Sequence, residues 1–146
     1  MDAIGKLESQ HSEVVRLFRE YRLPGEVRDR EAIFGRLSDA IDTYTEYEGR
    51  IFFPAAKARR TAKMLPRFID EQLQLKRHLA ELKTLHPGVD PFDQKLNDLE
   101  RDIAAHAREQ SQQLYPQVRA QLGRLGLDKL GEQMEQMTRE PEGKPG

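Results

Sequence analysis

The sequence predicts an all-α protein, an up-down-up-down antiparallel four-helix bundle with a short extra C-terminal helix. Charged residues make up 34% of the 146-residue chain and Trp is absent, a composition typical of helices with solvated outer faces. Apolar residues recur at three-and-four spacing through four long stretches, and Pro- and Gly-containing breakers separate those stretches. The length is that of one ordinary domain.

The breakers place the four major helices at roughly residues 3–22, 30–62, 66–85 and 91–122. Short connections between helices of comparable length favour the up-down-up-down order. A shorter helix, 126–139, follows Gly123 and Gly126 and is expected to pack on or beside a bundle formed by residues 1–125. Residues 140–146 have the composition of a disordered tail.

Each predicted helix carries one apolar stripe that it can bury against the other three. Helix one offers Ile4, Leu7, Val14, Val15 and Phe18; helix two offers Ile33, Leu37, Ile41, Ile51 and Phe52; helix three offers Leu65, Phe68, Leu75, Leu79 and Leu82; helix four offers Phe92, Leu96, Leu99, Ile103 and Leu114.

Polar residues that keep the helical spacing interrupt every stripe near its middle. An α-helix rises about 1.5 Å per residue and an antiparallel neighbour retraces that rise, so these residues fall at one level of the bundle. A buried polar group without a partner costs on the order of 1–3 kcal/mol, so the group must be satisfied internally or by a bound cation. We call this set the belt: His11, Tyr44, Glu48, Gln72, His106 and Gln110.

The second and fourth helices repeat one another around the belt. Tyr44-x-x-x-Glu48 precedes Phe53-Pro54 in the same way that His106-x-x-x-Gln110 precedes Tyr115-Pro116. Side chains at i and i+4 share a helix face, and two such pairs can reach one ion in a bundle core. Kinks or bends are expected at the two prolines.

Composition excludes several classes of function. Without cysteine the chain has no disulfide, thiolate zinc site or Cys nucleophile, which leaves His, carboxylate, phenolate and amide ligands. A net charge of -1 predicts no nucleic-acid partner, and the basic cluster Lys57–Lys63 is assigned to a helix C-terminus. No apolar run has signal-peptide or membrane-spanning length, so no membrane association and a cytoplasmic location are expected.

Several segments resemble the hemerythrin-like cation-binding family, over residues 1 to about 122. They are Gln10-His-Ser-Glu-Val14 with Leu17-Phe-Arg-Glu-Tyr21, Glu48-Gly-Arg-Ile-Phe-Phe-Pro54, Glu71-Gln-Leu-Gln-Leu-Lys with Leu79-Ala-Glu-Leu82, and His106-Ala-Arg-Glu-Gln with Leu114-Tyr-Pro116. The resemblance implies a non-haem di-iron centre held by His, His-x-x-x-Glu, His and His-x-x-x-Glu in successive helices.

Carried over by position, those ligands fall on the six belt residues. His11, Glu48 and His106 match in type, whereas Tyr44, Gln72 and Gln110 stand where the family has His, His and Glu. Phenolate is a good ligand for ferric iron, but Gln binds hard cations weakly. We therefore favour a mononuclear iron site over a di-iron site, with zinc or manganese as alternative metals. Its expected ligands are His11, Tyr44, Glu48 and His106.

Tyr44 and the two glutamines of the belt have alternative interpretations. Tyr44 can instead be a core tyrosine that is hydrogen-bonded to Glu48 or His106, and the two glutamines fit hydrogen-bonding roles better than direct ligation. Glu71 and Glu109 flank Gln72 and Gln110 and are expected to orient ligands.

Two functions follow from the resemblance and from the belt. The first is a metal protein for binding, sensing or detoxifying oxygen, nitric oxide or peroxide, or for iron handling, as a monomer or homodimer; any enzymatic activity would be a non-haem iron redox reaction on those molecules. The second is a metal-free bundle that serves as a structural or protein-interaction module, with the belt closed by hydrogen bonds.

Overall fold

The computed structural model describes residues 1–23 and 25–139, and within those ranges all of the regular secondary structure is helical. Its long helices are α1 (Ala3–Arg22), α2 (Val27–Glu46), α4 (Leu65–Leu82) and α5 (Phe92–Glu109). The expected all-α four-helix bundle is confirmed. Pro24, in the first predicted breaker, and the tail predicted for 140–146 lie outside the described residues.

The second helix differs from its predicted range of 30–62. It begins at Val27, and after Glu46 it continues as a π-helical turn, Tyr47–Phe52, and a short helix α3, Phe53–Ala56. Extended backbone at Lys57 (φ -70°, ψ 115°) ends it, and Ala58 (φ -161°, ψ 173°) is also extended before a 3₁₀ turn over Arg59–Thr61. The prediction of a helix to residue 62 was therefore wrong. The high helix propensity of Ala and Arg favoured a continuous helix, whereas the backbone at Ala58 is extended.

Both repeated proline motifs coincide with π-helical turns. A second π turn, Gln110–Leu114, joins α5 to α6 (Tyr115–Arg139). The N–H of Phe53 donates to the carbonyl of Glu48, and the N–H of Tyr115 donates to that of Gln110, each five residues back. Proline has no N–H to donate and its ring crowds the carbonyl four residues earlier, so a wider turn before it relieves the clash.

The last helix is interrupted at Gly123, where φ is 66° and ψ is -177°. Glycine lacks the Cβ that makes a positive φ costly, so the chain can change direction there. Beyond the interruption Leu127, Leu130 and Met134 are buried against the N-terminal end of the bundle. Gly131 permits close approach, because a Cβ at this position would lie 2.5 Å from the carbonyl oxygen of Met1.

Two apolar clusters form the core, and the belt lies between them. One cluster contains Leu7, Phe52, Phe68 and Leu114. The other contains the next apolar positions of α1, α4 and α5, namely Val14, Leu75 and Ile103. In the described ranges no helix has the length and apolar character needed to cross a bilayer.

Candidate metal centre

Glu48 is the centre of the belt and is completely buried. The π turn over Tyr47–Phe52 carries it, and its Oε2 atom is shared by two neighbours. His106 Nε2 lies 2.7 Å from Oε2, and the Gln110 side-chain amide donates to the same atom at 2.6 Å. One carboxylate therefore links the two helices that repeat the sequence motif.

His106 lies between two carboxylates. Its Nδ1 atom is 2.7 Å from Glu71 Oε1, while its Nε2 atom faces Glu48. Burial by itself would lower the pKa of His106, but the Glu48 and Glu71 carboxylates outweigh burial and raise the pKa above its usual value. Both ring nitrogens then donate, and an imidazolium is held between two acceptors.

Tyr44 extends the contacts of Glu48 towards α6. Its hydroxyl lies 3.4 Å from the Gln110 side-chain nitrogen. Burial raises the pKa of Tyr44 well above its usual value, and the Glu48 carboxylate adds to that effect. Burial likewise raises the pKa of Tyr115, followed by the charges of Glu48 and Glu8. Sequence reasoning treated Tyr115 only as part of the Tyr-Pro repeat, and that repeat was the signal for it.

His11 is half-buried on α1 and makes ring contact with Tyr44, their centroids being 6.1 Å apart. Burial lowers the pKa of His11, and the charge of His106 lowers it further. Its Nε2 atom is buried and has no hydrogen-bond partner. The ring is therefore favoured as a neutral imidazole, the protonation state that binds metals.

Gln72 is buried on α4 but does not join the Glu48 network. Its side-chain nitrogen donates to the Thr45 carbonyl at 3.1 Å. The amide lies over Gly49, where an added Cβ would be 2.9 Å from it. Glu71 contacts His106 as described, whereas Glu109 lies 3.7 Å from Arg67 at the surface. Of the two flanking carboxylates, Glu71 is thus the one that orients a belt residue.

Three buried side-chain atoms in the belt that can accept a hydrogen bond have no partner. They are His11 Nε2, Glu48 Oε1 and Gln110 Oε1; among the described residues, Gln121 Oε1 is a further one, outside the belt. Each unpartnered buried acceptor is costly, and a cation satisfies acceptors without needing a donor hydrogen. These three atoms are suited to bind a metal ion as ligands.

The carboxylates and imidazoles alone are not enough for such a site. Over the described ranges, no three His, Asp or Glu side chains are grouped closely enough to hold a metal ion. A cation in the belt would therefore also need an oxygen from Tyr44 or Gln110. That donor set differs from the all-His-and-carboxylate set implied by the resemblance.

Two small cavities adjoin the belt. One, of about 310 Å³, opens between α1 and α5, reaches His11 and Tyr44, and is lined there by Ala104, Ala107 and Ser111. The other, of about 330 Å³, reaches His106 and Glu71. Small molecules can thus approach the belt from two sides of the bundle.

Residues 2–118 match the family model of the hemerythrin HHE cation binding domain. A curated relative, a DNA nickase from Nostoc sp. strain PCC 7120, is 22% identical over 116 residues, which are 80% of this chain and 33% of the relative. The chain therefore spans about a third of that protein's length.

Among solved structures, a hemerythrin HHE cation binding domain-containing protein from Mycobacterium kansasii superimposes with a TM-score of 0.78. The alignment covers 95% of this chain and 86% of that one at 22% sequence identity. At this identity the likeness demonstrates the shared helical fold.

Proposed function

The chain belongs to the hemerythrin HHE cation-binding family, and from that premise we propose that it binds a single metal ion, preferably iron, in the belt. The three unpartnered buried acceptors, His11 Nε2, Glu48 Oε1 and Gln110 Oε1, carry the proposal. They belong to three different helical segments yet fall in one layer between the two apolar clusters. That arrangement is costly unless a cation satisfies it.

In this proposal His11, Glu48 and Tyr44 hold the ion. His11 offers a neutral imidazole nitrogen, Glu48 the free oxygen of a carboxylate, and Tyr44 a phenol oxygen that favours ferric iron. Gln110 adds a neutral oxygen and fixes Glu48 through its amide nitrogen. Zinc and manganese accept similar donors, so elemental analysis is the means of identifying the metal.

His106 has two roles open to it. Paired with both Glu48 and Glu71 it positions the Glu48 carboxylate and offsets its charge. To act as a ligand through Nε2 it would first have to lose a proton and its contact with Glu48. Glu71 would then hold the other ring nitrogen, the arrangement that commonly orients a metal-bound histidine.

A bound iron would supply binding and redox chemistry for oxygen, nitric oxide or peroxide. The residues of the chain provide access and exclusion of bulk water. The opening of about 310 Å³ beside His11 and Tyr44 is large enough for such molecules, and Ala104, Ala107 and Ser111 form part of its lining. The apolar clusters close the belt above and below.

The alternative function is a metal-free interaction module, and one observation favours it. Glu71, His106, Glu48 and Gln110 already form a continuous set of hydrogen bonds across three helices. A satisfied network of this kind can hold a bundle together without a cation. The DNA-nicking activity in the name of the Nostoc relative is not extended to this chain, which matches a third of it.

Thermal unfolding with and without chelator tests the proposal. A metal that binds only the folded state stabilises it by about 2.7 kcal/mol at a hundredfold excess over Kd, so chelation should lower Tm and iron should restore it. His11→Ala and Glu48→Gln should abolish this response. Gln121→Leu removes an unpartnered acceptor outside the belt and should keep it. A wild-type Tm that changes with neither chelator nor added iron would support the interaction module instead.

A further inference from the structure

A long groove lies on the opposite side of α4 from His106. It has a volume of about 1200 Å³ and runs between α2, its π turn and α3 on one side and α4 on the other. The loop after α3 closes one end. Apolar side chains from both sides line it, namely Phe53, Pro54, Leu65, Pro66, Ile69 and Leu73. Leu73 is 46% exposed there and adds accessible apolar surface to the wall of the groove.

The polar groups on the floor of the groove are already satisfied within the protein. The Gln72 amide donates to the Thr45 carbonyl, and the Thr45 hydroxyl donates to the Ile41 carbonyl at 3.0 Å. No lining residue is among those described side chains that have an unpartnered buried polar atom. The floor therefore selects an apolar ligand group over a polar one.

The rim carries an excess of positive charge. Four cationic side chains, Arg50, Lys57, Arg59 and Lys76, face two acidic ones, Glu46 and Asp70. Two of the four cations share one carboxylate, since Glu46 lies 3.3 Å from Lys76 and 3.6 Å from Arg50.

Lys57 and Arg59 form the positive end of the groove. Both are exposed, and among the described residues neither makes an ion pair. They belong to the basic cluster Lys57–Lys63, which lies beyond the end of α3 and has no part in the belt. An anionic group placed between them would be paired without disturbing any existing contact.

We propose that this groove binds a monomeric long-chain carboxylate. Its hydrocarbon chain lies along the apolar walls, and its carboxylate pairs with Lys57 and Arg59. A neutral chain would leave the two cations unpaired, and a cationic head would be repelled by them. The chain supplies most of the affinity, since each buried methylene adds roughly fourfold, while the exposed ion pairs mainly fix the orientation.

Calorimetric titration of the full chain with dodecanoate, kept below its critical micelle concentration, tests the proposal. We expect a single class of site, with decanoate weaker by about fifteenfold because it lacks two methylenes. Dodecyltrimethylammonium, which has the same chain and the opposite charge, should bind at least about tenfold more weakly than dodecanoate.

Charge-reversal variants locate the head group. Lys57→Glu with Arg59→Glu should weaken dodecanoate binding by about tenfold or more. Arg60→Glu with Lys63→Glu makes the same change in net charge within the same basic cluster but outside the groove lining, and should leave binding within about twofold. Leu73→Asp places a charge on the apolar wall at an exposed position and should also weaken binding. Circular dichroism establishes that each variant is folded.

Three results would overturn the proposal. One is equal affinity for dodecanoate and dodecyltrimethylammonium, and another is equal weakening by the two double variants. The third is binding to phosphatidylglycerol vesicles without binding of monomeric dodecanoate, which would make the basic cluster a membrane-surface contact. None of these measurements depends on metal in the belt, so the groove and the metal site can fail separately.

Discussion

At the scale of single residues, the main feature is the buried Glu48 carboxylate and the polar side chains that surround it. The carboxylate is removed from water, and its contacts with His106 and Gln110 offset the free-energy cost of that burial. The sequence predicted that these side chains share a level, since helical rise alone determines it. It could not predict that Gln72 turns to the Thr45 carbonyl, because that direction depends on the space left by Gly49 on another helix.

Replacing His106 by Ala should destabilise the protein by ~3–5 kcal/mol, because Glu48 would lose its charged partner in a buried site. Denaturant-induced unfolding measures the difference. Glu71→Gln is the matched control: the Glu71 side chain is 31% exposed, so losing its charge should cost less than about 1 kcal/mol. A loss below about 1 kcal/mol for His106→Ala as well would show that Glu48 is not held as a charged group.

Tyr44→Phe tests the phenol oxygen. If Tyr44 binds ferric iron, the iron-loaded protein should show a broad visible phenolate-to-iron absorption that this variant lacks. Tyr47→Phe, which removes a hydroxyl from a neighbouring buried tyrosine outside the proposed ligand set, should keep the absorption. Iron bound with an unchanged spectrum in the Tyr44 variant would remove Tyr44 from the ligands.

Tyr21 provides a test of stability against pH away from the belt. Its hydroxyl donates to Asp93 at 2.9 Å and accepts from the Gly88 N–H. Burial, followed by the bond to Asp93, raises the pKa of Tyr21 to about 12. The neutral phenol is therefore favoured by folding: its contribution is complete below about pH 10 and is lost as pH rises towards 12.

Tyr21→Phe should accordingly be less stable at neutral pH by about 1 kcal/mol, from loss of these hydrogen bonds. Its stability should also fall less steeply than that of the wild type between about pH 10 and 12. Unfolding curves across that range measure both effects. Parallel pH profiles for the two proteins would contradict the role given to the Asp93 contact.

At the scale of the helices, the π turns explain where the apolar stripes change phase. Regular periodicity placed Ile51 and Phe52 in the core of the second helix. Phe52 is buried as predicted, but Ile51 is only partly buried and Phe53 is buried as well. One extra residue in the turn rotates everything after it, which a constant 3.6-residue period cannot anticipate. The signal was the proline at the same distance after the belt residues in both helices.

Gly131→Ala tests how the last helix packs, and Gly35→Ala in α2 is its control. Gly131→Ala should destabilise by ~1–3 kcal/mol, because its Cβ would collide with the Met1 and Asp2 backbone, which cannot rotate aside as a side chain does. Gly35→Ala, in α2 with nothing within 4 Å of the added Cβ, should stabilise by ~0.5–1 kcal/mol. Thermal unfolding distinguishes the two signs. A stabilised Gly131→Ala protein would contradict the packing of the N-terminus on α6.

At the scale of the whole molecule, the fold could be predicted because each helix carries one apolar stripe in the sequence and the breakers between the helices are short. The belt divides the core into two clusters at the level where polar residues interrupt those stripes. The groove beside α4 could not be predicted, since it arises from the gap between two helices and from the path of the loop after Ala56. Neither the gap nor the path of the loop has a periodic signature in the sequence.

The measurement that bears most directly on the metal site is elemental analysis of metal per chain, after purification without chelator, with a visible spectrum of the same sample. We expect about one iron per chain, reduced to near zero in His11→Ala and Glu48→Gln. No bound metal after reconstitution with iron, zinc and manganese would contradict it. About two ions per chain would contradict the single-ion site, since Gln72 and Gln110 would then have to serve where the family has His and Glu.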